Sequence, residues 1–178
     1  MARLIWLCGP SGSGKDSLLS ALGEAPPARL VVAHRYITRA AHAGGENHIA
    51  LSEQEFHRRR QLGLFVLCWQ AHGYHYGLGL EIEYWLARDC HVLVNGSRLH
   101  LPQARERYGQ RLLPLCLQVT PEVLAARLRQ RGRESEAEIA QRLQRAAQPL
   151  PAGCLALNNN GSLQQTLQQL RLLLENAP

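Results

Sequence analysis

Gly9-Pro10-Ser11-Gly12-Ser13-Gly14-Lys15 has the spacing G-x-x-x-x-G-K, a pattern suited to holding the phosphates of a nucleoside triphosphate. The glycines let the backbone turn tightly and approach a ligand, since they carry no Cβ. Successive N–H groups then form an anion-binding nest, and the positive end of the following helix adds to it. Lys15 supplies a point charge for the β- and γ-phosphates. The residue after the Lys is usually Ser or Thr, whose hydroxyl ligates Mg²⁺; here it is Asp16, followed by Ser17. A carboxylate is a good hard-oxygen ligand, so Asp16 is the candidate metal residue. The other reading is that Asp16 stabilises the helix N-terminus.

The loop needs a strand before it and a helix after it. Leu4-Ile5-Trp6-Leu7-Cys8 reads as a buried strand of a parallel sheet. Leu18, Leu19 and Leu22 give the following helix an apolar face. Further strand-like runs are Leu30 to His34, His91 to Asn95, Leu113 to Val119 and Cys154 to Leu157, with helical patterns between them. Thr120-Pro121 opens a helix over Glu122 to Gln130, Ser135 with Glu138 is a capping box, and Leu163, Leu167, Leu170 and Leu174 form one stripe. The alternation predicts an α/β, three-layer P-loop NTPase fold with a parallel sheet.

Two segments interrupt it. Residues 38–79 contain Gly44-Gly45, a predicted capping box over Ser52 to Glu55 and an aromatic stretch from Phe65 to Tyr76, and read as a small inserted lobe. Residues 127–145 carry Arg127, Arg129, Arg131, Arg133, Arg142 and Arg145 around Gly132, and read as a mobile helical lid over phosphates. Arg129 and Arg145 fit a solvated helix face. The remainder, 1–37, 80–126 and 146–178, is the core of a single domain.

Composition narrows the field. With 178 residues and 46% hydrophobic content the chain can build one core. No run approaches the roughly 18 apolar residues of a membrane span, and no signal-peptide pattern precedes the first strand. Five Cys lack metal-like spacing, and Cys8, Cys90, Cys116 and Cys154 read as reduced core thiols of a cytoplasmic protein. A net charge of +6 suits a polyanionic ligand, but no basic stripe with interleaved aromatics points to nucleic acid. None of the eight His are paired at zinc-like spacing. His48, His72 and His75 lie in the lobe, within reach of a phosphate. Trp6 and Trp85 read as packing residues, and Trp69 as a pocket wall.

Most of the chain resembles guanylate kinase. Thr38-Arg39, Gly45-Glu46 and Ser52 to Phe56 resemble that family's monophosphate-binding segment, Phe65 to Trp69 with Tyr74 to Gly77 its next binding segment, and Leu124 to Leu143 its lid. Three positions depart. Cys68 stands where the family reads the guanine edge with a Glu, Asn95 where it has an Asp, and Asp16 where it has Ser or Thr. A carboxylate accepting two N–H groups is a sharp discriminator of bases, so these departures point to an acceptor with phosphate but no base. The set Lys15-Asp16-Ser17, Arg35 to Arg39, Gly45 to His48, Trp69 to Gly73, Val94 to Arg98 and Arg131 to Ser135 is similar to the ribose 1,5-bisphosphate phosphokinases of bacterial phosphonate degradation.

That resemblance implies transfer of the γ-phosphoryl group of ATP, with Mg²⁺, to the 1-phosphate of α-D-ribose 1,5-bisphosphate, giving 5-phosphoribosyl 1-diphosphate and ADP. It casts Lys15, Arg131 and Arg142 as catalytic and Gly9 to Ser17 as the ATP site. Arg35, Arg39 and Arg98 are assigned to the acceptor's phosphates, and Tyr76 to its 5-phosphate. Asn95 and Gln70 are assigned to ribose hydroxyls, and Glu46 belongs to the same acceptor segment. Partners are the sugar phosphate and ATP, with no nucleic acid or membrane, in a monomer or homodimer. A nucleotide kinase with altered base preference and a non-catalytic module are the competing readings.

Overall fold

Both faces of the run after Arg3 are apolar, so it can only sit inside a sheet covered on both sides. In the computed structural model, which describes residues 1–176, this run is β1 (Leu4–Cys8), buried along its whole length. The last two residues of the predicted core segment 146–178 lie outside the described residues. After β1 come α1 (Lys15–Glu24), β2 (Leu30–Val32), β3 (Tyr36–Ile37), β4 (Ile49–Ala50) and α2 (Glu53–Gln61). Then follow β5 (Phe65–Ala71), β6 (Tyr74–Gly79), α3 (Glu81–Ala87), β7 (His91–Asn95), α4 (Leu101–Tyr108) and β8 (Leu112–Gln118). The chain continues through α5 (Pro121–Arg131), α6 (Glu136–Ala146), β9 (Leu155–Asn158) and α7 (Leu163–Glu175).

The main sheet has the order β2-β7-β1-β8-β9, and every pair is parallel. Strand alternation divides β1 between two cores. Leu4, Trp6 and Cys8 pack with Ile82 of α3 and Leu101 of α4. Ile5 and Leu7 pack with Leu18 and Leu22 of α1 and Leu170 of α7. Three layers result, as the alternation predicts. Leu7 is level with Asn95 and Cys8 with Cys116. The glycine loop and the Gly96-Ser97-Arg98 turn therefore leave the sheet at the same carboxyl edge, where open α/β sheets bind ligands.

A second sheet, β4-β3-β6-β5, stands beside this edge. It is mixed, with β3 parallel to β4 and β6 antiparallel to its neighbours. It begins at Tyr36, two residues before the predicted lobe. The α5–α6 pair has its own small core of Leu124, Leu128 and Ile139.

Local signals hold with adjustments. Thr120 caps α5, and Ser135 and Glu138 form the reciprocal capping box of α6. At α2 only half of the expected box forms. Ser52 Oγ accepts from the Glu55 N–H at 3.1 Å, but the Glu55 carboxylate turns to Arg59, 2.8 Å away. Cys8 and Cys116 are buried, whereas Cys90 and Cys154 are only half-buried, because each lies just outside a strand. All five thiols are free.

Candidate active site

The glycine loop is braced from below. Gly14 caps α1 with φ 89° and no side-chain bond to the helix N–H groups, so those donors face outward for an anion. A Cβ at Gly14 would strike the Asn159 side chain. Asn159 Nδ2 donates to the Ser13 carbonyl, and its Oδ1 accepts from Thr166 of α7. Arg127 donates to the Asn159 carbonyl at 2.6 Å and to the Ser13 carbonyl at 3.5 Å. Burial pushes the Lys15 amine below its usual value, and the nearby Arg35 cation adds to this. Its charge is costly in the free protein and is relieved by a bound phosphate.

Opposite the loop lies a chain of charged and aromatic side chains. Arg35 grips Glu46 through two hydrogen bonds, the Nε–Oε2 bond at 2.6 Å and a second from Nη2 to Oε1. Both side chains are nearly buried, at 12% and 14% exposure. Burial alone raises the Glu46 carboxyl, but the hydrogen bonds and charge of Arg35, with Arg39 and His48, bring it below the usual carboxylate value. Asn95 Nδ2 donates to Glu46 Oε1 at 3.3 Å, while Asn95 Oδ1 is buried with no partner among the described residues. Arg39 is held by His48, which contacts its guanidinium at 3.5 Å and its carbonyl at 3.0 Å.

Arg35 also lies 4.8 Å above the Tyr76 ring. Tyr76 stacks parallel on Trp69 at 5.7 Å, and Trp69 stacks on His100 at 5.1 Å. Trp6 fixes the next turn. Its Nε1 donates to the Ser97 carbonyl at 2.9 Å, and a Cβ at Gly96 would strike its indole. That turn carries Arg98.

Two cavities open at this edge. One, of about 560 Å³, is lined by Lys15, Arg35, Trp69, Tyr76, Arg98 and Arg145, among others. The other, of about 750 Å³, runs along the glycine loop past Asp16, Arg39, Glu46, Asn95 and Arg131. Both have the size of small-ligand sites. Gly9, Pro10, Lys15, Arg35 and His72 line both cavities.

The helical pair closes over the loop. Arg142 Nη1 donates to Ser11 Oγ, and its Nη2 lies 3.2 Å from Glu134 Oε1. Arg131 donates to the same Glu134 oxygen. Glu134 has a side-chain exposure of only 5%, so one buried carboxylate holds the Arg131 and Arg142 guanidinium groups.

Of the predicted residues, the structure brings Gly9 to Gly12 and Gly14 to Ser17, with Arg35, Arg39, Glu46, Tyr76, Asn95, Arg98 and Arg131, onto the two cavities. Arg142 reaches the loop through Ser11. Ser13 is buried, and its carbonyl anchors the loop. Gln70 is not brought in. Alternation along β5 sends Trp69 inward and leaves Gln70 exposed, lining neither cavity. Arg129 pairs with Glu136 at the surface at 3.0 Å and Arg145 is exposed, both as a solvated helix face should be, while Arg145 also lines the smaller cavity.

Sequence reasoning missed Asn159, Arg127 and Glu134 as supports. The polar run Asn158-Asn159-Asn160 after a strand was the available signal for the first. Nothing in the spacing singles out Glu134 among its charged neighbours.

Asp16 is exposed on the larger cavity, with no hydrogen bond or ion pair among the described residues. A free carboxylate beside Lys15 fits a Mg²⁺ ligand in a site completed by substrate phosphates, the usual arrangement for this ion.

The chain matches the guanylate kinase family model over residues 1–177. A ribose 1,5-bisphosphate phosphokinase PhnN from Pantoea vagans is 71% identical over 175 residues, covering 98% of each chain. Its namesake from Dickeya zeae is 65% identical, covering 98% of this chain and 94% of that one. The one from Yersinia pestis is 61% identical, covering 98% and 92%. Among solved structures, a guanylate kinase from Anaplasma phagocytophilum superposes with a TM-score of 0.64 at 17% identity, covering 98% of this chain and 85% of that one, which shows the shared fold. Similarity over nearly the full length makes this chain a member of the guanylate kinase family, on the branch with those ribose 1,5-bisphosphate phosphokinases.

Proposed function

We propose that the protein transfers the γ-phosphoryl group of ATP to the 1-phosphate of α-D-ribose 1,5-bisphosphate, releasing ADP and 5-phosphoribosyl 1-diphosphate, the activity that its curated relatives are named for. The observation that carries the reading is the smaller cavity. Arg35, Arg98 and Arg145 surround it beside Lys15, and stacked Trp69 and Tyr76 wall it. Such a lining suits a compact, doubly phosphorylated sugar. Cys68 lines neither cavity, and its carbonyl accepts from Gln103 at 3.2 Å. Asn95 Oδ1, buried and unpartnered, belongs to a residue of the larger cavity and is a free hydrogen-bond acceptor there.

The acceptor oxygen belongs to a phosphate that is already ionised, so no general base is needed. Positioning and charge neutralisation do the work. Lys15 and the N–H groups of the glycine loop hold the donor's terminal phosphates. Arg98 and Arg145 orient the acceptor. Arg131 and Arg142 come down from the lid to offset charge on the phosphoryl group in flight. Asp16 would hold Mg²⁺, which when bound would supply Lewis-acid neutralisation of phosphate charge. In this reading the core is 1–37, 80–126 and 146–178, the acceptor lobe is 38–79 and the lid is 127–145, all within one cytoplasmic domain. Among the described residues no helix is long and apolar enough to cross a membrane.

The test is an ADP-release assay with ribose 1,5-bisphosphate beside GMP, dGMP, AMP and UMP, with the product identified by ³¹P NMR. Turnover with the sugar bisphosphate and a new diphosphate signal is the expected result. Turnover with GMP alone overturns the proposal.

A further inference from the structure

The hairpin between β5 and β6 pairs Ala71 with Tyr74, leaving His72-Gly73 as a two-residue turn. Their φ values are 50° and 76°. Two positive φ values in such a loop mark a type I′ turn, which favours Asn, Asp or Gly at its first position. A His there holds the left-handed conformation at a cost of about 1 kcal/mol. His tolerates this conformation better than most residues, but the turn does not require an imidazole. Residues held in sparsely populated backbone regions cluster at active sites.

This turn sits at the junction of the two cavities. Of the five residues that line both, only Lys15, Arg35 and His72 have side-chain N–H groups. Arg35 is committed to Glu46. Lys15 and His72 make no side-chain hydrogen bond or salt bridge among the described residues. The junction is where a phosphoryl group leaving the donor meets the acceptor, and two side chains with uncommitted N–H groups line it.

We propose that His72 is a catalytic residue whose imidazole N–H donates a hydrogen bond to the phosphoryl group in transit. This rests on the phosphoryl-transfer reading above. His72 forms no bond to phosphorus and moves no proton. The bond from the γ-phosphorus to the oxygen that ADP keeps breaks, and a bond to the acceptor's phosphate oxygen forms. The His72 hydrogen bond strengthens as charge spreads over the equatorial oxygens.

The test compares wild type with His72→Asn and His72→Gly in the full chain. Both replacements suit a type I′ turn, so both variants should keep the wild-type melting temperature or exceed it. The expected result is a fall in kcat of about 10- to 100-fold, with KM for ATP and for the acceptor unchanged within about twofold. A second measurement needs no turnover. MgADP with aluminium fluoride mimics the group in flight, and inorganic phosphate fills the acceptor site. His72→Asn should bind this mixture about tenfold more weakly than wild type and MgADP alone equally well. Unchanged kcat and unchanged affinity for the fluoride complex overturn the role, as does a rise in KM alone. If wild type fails to turn over the sugar bisphosphate, the acceptor reading falls, and the fluoride complex still decides for or against His72.

Discussion

In the proposed reading, the donor and acceptor halves of this site are built from different materials. The donor half is mostly main chain, a glycine loop whose N–H groups face the ligand while Asn159 and Arg127 brace its carbonyl side. The acceptor half is mostly side chain, with Arg35, Glu46, Asn95, Arg39 and the Trp69–Tyr76 stack holding one another in place. Main-chain recognition fits any polyphosphate, because every N–H is alike. Side-chain recognition can be retuned one residue at a time. A family can therefore keep its donor while changing its acceptor.

The sharpest way to break the donor half is Lys15→Ala. Removing the preorganised charge should lower kcat by about 10³-fold without unfolding the protein, measured by coupled ADP release and circular dichroism. A near-wild-type rate would show that the loop does not hold the reacting phosphates. Arg142→Ala should cost about 10²-fold in kcat, since this side chain joins the lid to the loop.

Glu134→Gln should cost about tenfold, because the amide keeps one acceptor oxygen but loses the charge that holds Arg131 and Arg142 together. In the Arg142→Ala background the same change should cost much less. Equal costs in both backgrounds would mean that Glu134 supports only the fold of the lid.

The acceptor half should respond to acid. Glu46 lies below its ordinary value of 4.5 because Arg35 outweighs burial, so the folded protein holds this proton more weakly than the unfolded chain does. The resulting stability is complete above the ordinary value and is lost as pH falls through the depressed one. Urea titrations should show a loss below about pH 4.5 that is smaller in Glu46→Gln, a variant about 2 kcal/mol less stable at pH 7 because Arg35 keeps a hydrogen-bond acceptor but loses its charged partner. An identical pH slope in both proteins would remove Glu46 as its source.

The smallest expected effect belongs to Cys68→Glu with Asn95→Asp, which restores two guanylate kinase residue types. Position 68 lines neither cavity, and an Asp at 95 faces the Glu46 carboxylate. No GMP turnover should appear. Its appearance would show that base recognition needs only those two side chains.

The glycine loop was legible because its chemistry is local. Spacing, glycine conformation and the flanking apolar periods all act within about twenty residues, and the same holds for the caps of α5 and α6. Gln70 shows the limit, since a one-residue step along β5 reverses which face a side chain joins. Asn159 reaches Ser13 across 146 positions of chain, and Arg142 reaches Ser11 across 131. No periodicity encodes such contacts. By itself the sequence determined the α/β fold, the phosphate loop and, through the departures at Asp16, Cys68 and Asn95, the branch of the family. Only the tertiary structure decided that Arg35 is committed to Glu46, that Glu134 gathers the lid arginines, and that His72 stands where the two cavities meet. Those assignments depend on distances between segments far apart in the chain, and packing alone sets them.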